Sequence, residues 1–193
     1  MTRFRSVGAV GLSLVAVTLI AGCQRPQPGG GGTAMTTPRT APTVPLGGFV
    51  RSWLLGGPYP CAPGEPESVR RAAHDADLLA AAGGEAGVRP RPGQSLPGLL
   101  AAKRWRVYES PADTVDFLKA LEGVTTSDNT VVYAYARVRS AQAQEAWLAL
   151  GSDDAAKAFL NGECVLDRYA FRAVVKDEDV VRVQLRRGTN HLL

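Results

Sequence analysis

Lys157 and Phe159 are the first residues in this 193-residue chain whose types and spacing suggest chemistry. In the run Ala156-Lys157-Ala158-Phe159-Leu160 a period of two places both on the face opposite the small and apolar residues. An ammonium beside an aromatic ring is a platform on which a sugar can stack. The plainer reading is a sheet face half covered by a loop. Just before this pair stand the adjacent carboxylates of Asp153 and Asp154, in a Gly151-Ser152-Asp153-Asp154 turn where Asp side chains often bond the local backbone. Glu85 follows Gly83-Gly84 and reads as a hydrogen-bonded turn anchor. No catalytic set emerges. His74 and His191 are the two histidines, and His-Glu-x-x-His, Cys-x-x-Cys and Gly-x-Ser-x-Gly are all absent. Nothing singles out two facing carboxylates of the glycosidase kind. The chain is expected not to be an enzyme and to hold no metal or other cofactor.

Sulfur chemistry begins at Cys23. Thr2-Arg3-Phe4-Arg5 is a short basic segment, and residues 7–20 are uncharged and mostly apolar. That run is shorter than the ~18 apolar residues of a membrane-spanning helix, so it fits the apolar centre of an export signal. It ends in Leu19-Ile20-Ala21-Gly22-Cys23, which resembles the bacterial lipobox, with Ile20 in place of the commoner leucine. The resemblance implies a diacylglycerol thioether on Cys23, cleavage after Gly22 and acylation of the new amino terminus. The expected location is the cell envelope, at the outer membrane or the extracytoplasmic face of the plasma membrane. Two acyl chains anchor a protein stably, at ~0.8 kcal/mol per buried methylene. With Cys23 lipidated, Cys61 and Cys164 form an even pair in an oxidising compartment. A disulfide between them would close a loop worth up to ~4.7 kcal/mol in the chain-entropy model. Two separate thiols are the alternative.

Processing also changes the charge. The net charge of +4 falls to +2, because Arg3 and Arg5 leave with the signal and no acidic residue does. A near-neutral chain with no basic run carries no footprint for nucleic acid.

Three regions position these residues: a signal peptide over 1–22, lipidated Cys23 with a flexible Pro/Gly/Thr linker over 23–47, and a folded domain over 48–193. The linker has almost no large apolar residue to offset the entropy of ordering. In the domain, strands are expected at 49–55, near Trp105 and Val107, and at 130–138, 145–150, 156–160, 163–167, 171–175 and 179–185. Asn161-Gly162 is the strongest hairpin signal, since both residues tolerate positive φ. A helix is expected over 69–82, stopped by Gly83-Gly84. A second should start at Ser110-Pro111-Ala112-Asp113, with Val115, Leu118 and Leu121 inward and Gly123 as its stop. Short, evenly spaced strands after these helices give an all-β sandwich.

An ordered set of segments carries a family resemblance. Trp53-Leu54-Leu55-Gly56-Gly57-Pro58-Tyr59 comes first, then Gly84-Glu85-Ala86-Gly87-Val88-Arg89-Pro90 and Trp105. Tyr135-Ala136, Gly151-Ser152-Asp153-Asp154, Leu160-Asn161-Gly162, Val183-Gln184-Leu185 and Gly188-Thr189-Asn190-His191-Leu192-Leu193 complete it. Together they resemble the galactose-binding-like jelly-roll β-sandwich attached to bacterial secreted hydrolases, and the Ser-Asp-Asp stretch is similar to PA14-type sandwiches. The resemblance implies a non-catalytic module that binds sugar in some members and is a spacer in others. In calcium-dependent PA14-type lectins the Asp pair supplies oxygen ligands to Ca²⁺, so Asp153 and Asp154 become candidate calcium ligands beside Lys157 and Phe159. Calcium takes six to eight oxygens, so two carboxylates are only a start. The pattern departs at Ala155 and Ala156, where glycine and a β-branched residue usually stand.

Modules of this kind continue past the Gly-x-Asn-x-Leu-Leu stretch. The sandwich is therefore expected to be incomplete on its C-terminal side, with an open sheet edge available for self-association. The alternative makes 180–185 the final strand and 188–193 a short tail. The expected function is a membrane-anchored lipoprotein with a carbohydrate-binding-type sandwich. Its rivals are the accessory module of a longer lipid-anchored hydrolase and a structural or protein-binding sandwich.

Overall fold

Alternating apolar and polar residues along most of this chain fold into strands, and a computed structural model describes residues 14–21, 43–45, 48–60, 67–98, 103–121 and 129–193. Cys23, Cys61 and most of the linker lie outside the described residues. In chain order the strands are β1 (Leu14–Ala21), β2 (Thr43–Pro45), β3 (Ser52–Pro60), β4 (Arg106–Glu109), β5 (Val115–Asp116) and β6 (Thr130–Ser140). They continue with β7 (Gln144–Ser152), β8 (Ala156–Leu160), β9 (Glu163–Arg168), β10 (Asp179–Leu185) and β11 (Gly188–Leu192). The helices are short: α1 (Glu67–Asp75), α2 (Gly84–Gly87) and α3 (Phe117–Ala120), with a 3-10 turn at Ala80–Ala82. The fold is all-β and sandwich-like, as expected.

The larger sheet runs β4-β3-β6-β11-β8-β9, with β2 parallel to β6, and the smaller runs β10-β7-β1-β5. The main core fills the space between them. Trp53, Leu55, Ala136, Val138, Ala158 and Leu160 of the larger sheet pack with Leu148, Leu150, Val183 and Leu185 of the smaller. The larger sheet is buried on its other face too, where Leu54, Tyr59, Tyr133 and Tyr135 meet Leu79, Val88, Leu96 and Trp105. Consecutive Trp53 and Leu54 therefore point into different cores, at 2% and 0% exposure.

The Asn161-Gly162 hairpin forms as read: φ is 56° and 94° there, and Leu160 pairs with Glu163. Phe159 pairs with Cys164 beyond it. The turn after Ser152 also closes, with the positive φ falling on Asp154 (60°), so Ala155 does not have to adopt one.

Three expectations and one alternative need correction, and two segments outside the expected domain, 43–45 and 14–21, pair in the sheets. The helix over 69–82 breaks after Asp75, because Asp77 takes its backbone partners locally: its carboxylate accepts from the amides of Leu79 and Glu85. The helix expected from Ser110 starts later. Ser110 Oγ accepts from the Ala112 amide and donates to the Thr114 carbonyl, Val115 takes an edge-strand position, and Asp116 caps α3 through the amides of Leu118 and Lys119. Residues 171–175 are not a strand, since their backbone is spent on the Asp154 turn: Asp154 N donates to Arg172 O and Arg172 N donates to Asp154 Oδ1. Residues 188–192 are a strand rather than a tail, antiparallel to β6. The linker's Thr43–Pro45 pairs with Arg137, Val138 and Arg139 of β6. The run 14–21, read as the centre of the export signal, occupies the smaller sheet as β1.

Gly151 allows the 171–176 crossing. A Cβ on it would lie 2.0 Å from the Val175 carbonyl oxygen, so backbone would have to move. Gly151→Ala is expected to destabilise by at least about 1–3 kcal/mol, the usual cost of overpacking. A shift in the denaturation midpoint at constant m-value checks it.

Candidate functional site

Each sequence candidate sits on one of two surfaces. Lys157 and Phe159 lie on the far face of the larger sheet, as their alternation with core residues Ala158 and Leu160 requires. That face is covered by the segment carrying α2. Glu85 reaches down from α2: its Oε1 accepts from Tyr133 Oη at 2.8 Å and its Oε2 faces Lys157 Nζ at 3.7 Å. Tyr133 Oη in turn accepts from the Leu78 amide at 3.3 Å. Gly84 is required beneath, with φ of 75° and a Cβ position only 2.7 Å from Asp77 Oδ2. Burial pushes the Glu85 carboxyl above its ordinary value, against the Tyr133 hydrogen bond and the Lys157 charge, which lower it. Burial likewise raises Tyr133, helped by the Glu85 charge. Glu85 is thus the turn anchor that its setting suggests, and Lys157 is engaged in holding it.

Tyr133→Phe leaves Glu85 Oε1 and the Leu78 amide without this partner. It is expected to cost about 1–3 kcal/mol. It also removes a bond that favours the carboxylate. Because Glu85 titrates above its ordinary value of 4.5 in the fold, its contribution weakens as pH rises from about 4.5 through the raised value. In Tyr133→Phe that loss should reach to higher pH, as thermal melts across pH 4–8 would show.

Asp154 is structural in the same sense. Asp154 Oδ1 accepts from the Arg172 amide at 3.2 Å, and Ser152 Oγ donates to the Asp154 carbonyl. Burial raises its carboxyl and that of Asp153. No cluster of three or more His, Cys, Asp or Glu with metal-binding geometry occurs among the described residues. Asp154 joins Arg172 while Lys157 joins Glu85, so these two of the four candidate ligand residues belong to separate local networks. Cys164 has a free, exposed thiol that donates to the Leu166 carbonyl at 3.4 Å. Its expected partner Cys61 lies outside the described residues.

The second surface was not singled out in the sequence. It joins α1 to the chain leaving β9. His74 Nε2 and Asp167 Oδ1 are 2.7 Å apart, and this bond holds the Asp167 carboxyl below its ordinary value. The His74 ring packs edge-on to Tyr169 at 5.3 Å, and Tyr169 edge-on to Phe171 at 5.4 Å. The guanidinium of Arg71 lies over Tyr169 at 4.9 Å, and that of Arg70 over Phe171 at 5.0 Å. Phe171 stays 54% exposed. α1 buries none of its residues, and these contacts join it to the sandwich. The signal was present as Tyr169-Ala170-Phe171, but reading 171–175 as a strand put Phe171 in a sheet.

His191 shares a hydrogen bond of 2.5 Å with Tyr135, ring stacked on ring at 6.0 Å. Burial lowers its imidazole, reinforced by the charges of Arg89 and Arg137. It lies far in sequence from the surface around His74. Comparison of the chain with protein-family models, with curated proteins and with solved structures finds no match.

Proposed function

We propose that this chain is a lipid-anchored, non-catalytic binding module of the bacterial cell envelope, and that it takes carbohydrate on the surface around Tyr169 and Phe171. The observation that carries the reading is an exposed Phe171 ring beside Tyr169, flanked by Arg70, Arg71 and the half-exposed Asp167. A sugar presents C–H groups on one face and hydroxyls around its rim. An aromatic surface matches the first, and guanidinium and carboxylate groups match the second. Lys157 and Glu85, by contrast, satisfy one another beneath α2. The anchor half of the proposal stands on Ala21-Gly22-Cys23 after an apolar run.

Two measurements test it. Cys23→Ser is expected to leave an unprocessed or released protein, seen by intact mass and membrane partitioning. Equal mass and partitioning for mutant and wild type would remove the anchor. A glycan array should show saturable binding that Phe171→Ala weakens about tenfold, the loss of roughly 1.4 kcal/mol of aromatic contact, with little change in melting temperature. Absence of glycan binding, or equal binding by Phe171→Ala, would reject the sugar reading.

A further inference from the structure

The smaller sheet is built around a strand that the reading of residues 1–22 as a leader removes. β1 pairs antiparallel with β7 at seven positions, from Val15 opposite Ser152 to Ala21 opposite Ala146, and with β5 at Leu14–Asp116 and Val15–Val115. β5 joins the sheet only through it, whereas β7 is also held on its other side by β10. With strands about 4.8 Å apart, β7 and β5 stand near twice that distance, too far to bond each other. Removal of β1 would leave the β7 edge from Ala146 to Ser152 unpaired, next to the core residues Leu148 and Leu150.

We infer that β7 and β5 form a strand-acceptor site in the processed protein, and that its occupant is an extended apolar segment donated by a partner polypeptide. Three features define that segment. It runs antiparallel to β7, as β1 does. It is uncharged with small or aliphatic residues, because Val15, Val17, Leu19 and Ala21 stand opposite Ser152, Leu150, Leu148 and Ala146, the last three of them in the main core. And it comes as a single strand. β5 bounds the site on its far side opposite Leu14 and Val15, so the sheet edge of a second copy, with its own β10 attached, would collide there. Among the described residues no strand pairs with the other side of β1 beyond Val15, so a segment would enter at the end by Trp147. Trp147 stands opposite Ile20 and is 46% exposed with β1 in place, so more of its ring is open when the site is empty. Cross-strand contact with an incoming residue would cover part of its ring.

The proposal rests on the reading of a leader cleaved before Cys23, and the first measurement separates the two. Intact mass of the protein extracted from membranes in mild detergent shows whether residues 1–22 are gone. A chain that keeps them fills the site itself and overturns leader and proposal together. A processed, monomeric chain is then titrated with a synthetic peptide of residues 14–21 carrying two added lysines at each end. The expected result is one-to-one binding, a rise in melting temperature and a blue shift of tryptophan fluorescence. The shift belongs to Trp147, since Trp53 and Trp105 are 2% and 1% exposed. Trp147→Phe should lose the shift and keep the binding by calorimetry. A peptide with Thr18→Pro, which removes a backbone donor opposite Ala149 and cannot sit in a central strand, should fail to bind. A processed monomer that ignores the peptide, or one that binds the proline peptide equally well, overturns the proposal. So does a processed chain that pairs with its own copy and stays dimeric at saturating peptide.

Discussion

Replacing Asp179 with alanine is expected to cost about 3–5 kcal/mol, enough to unfold a domain of ordinary stability at moderate temperature. Asp179 opens β10 with its side chain only 4% exposed. Its Oδ1 accepts from Arg168 Nε at 3.0 Å and its Oδ2 from Arg172 Nη2. Arg172 is itself largely buried, its side chain 14% exposed, and its other amino group meets Glu178 at 3.1 Å. It also donates to Ser152 Oγ at 2.8 Å. This arginine ties the end of β7, the 171–176 crossing and the start of β10 together. Without Asp179 its guanidinium loses its closest and most buried counter-charge and keeps only the partly exposed Glu178, and the cost lies mainly in that poorer compensation of a buried charge. The double variant Asp179→Leu/Arg172→Met removes both charges and should cost less than Asp179→Ala alone. Denaturant unfolding of the three proteins closes the cycle.

The same pair gives an acid limb. Burial by itself raises the Asp179 carboxyl, but the hydrogen bonds and charges of Arg172 and Arg168 outweigh it and hold it below 3.8. A carboxyl depressed in the fold contributes its full stability above its unfolded value and loses it as pH falls through the folded one. Wild-type stability should therefore decline below about pH 4, and Asp179→Asn should show a shallower decline from a lower starting point. Melts between pH 2 and 6 decide it.

The second large effect is expected at Asn190, which is 0% exposed. Its Oδ1 accepts from the Arg186 amide and from Asn161 Nδ2, each at 2.8 Å, and its Nδ2 donates to the Arg186 carbonyl at 2.9 Å and the Val138 carbonyl at 3.5 Å. Every hydrogen-bonding position of the amide is in use. It clamps the turn from β10 to β11 and joins it to the Asn161-Gly162 hairpin, whose Asn161 Oδ1 accepts from the His191 amide. Asn190→Ala orphans the Arg186 amide and carbonyl and releases Asn161. At about 1–3 kcal/mol for each buried group left without a partner, the expected loss is about 2–5 kcal/mol. Asn190→Asp should cost at least as much, because it loses both donors and buries a carboxylate. A midpoint shift in denaturant, with protection lost at the hairpin amides in hydrogen exchange, checks the assignment.

The sequence by itself determined the class of fold and its best-punctuated pieces. Strict alternation needs no knowledge of the partner strand, so β8, β9 and β10 and the Asn161-Gly162 turn were legible within a residue or so. The opposition of Lys157 and Phe159 to Ala158 and Leu160 followed from the same period, and Glu85 as an anchor from the glycines before it. Tertiary structure decided the rest, because the competing partners come from distant parts of the chain. Asp77 broke a helix that its periodicity favoured, by bonding the Leu79 and Glu85 amides. Residues 171–175 have strand composition, but Asp154 and Gly151 draw that backbone across β7 instead of into a sheet. Phe171 consequently reaches solvent beside α1, where no local pattern could place it. The same holds for residues 14–21. An apolar run of that length suits a leader and a central strand equally, and only the pairing available between β7 and β5 distinguishes a sheet position from a purely transient one.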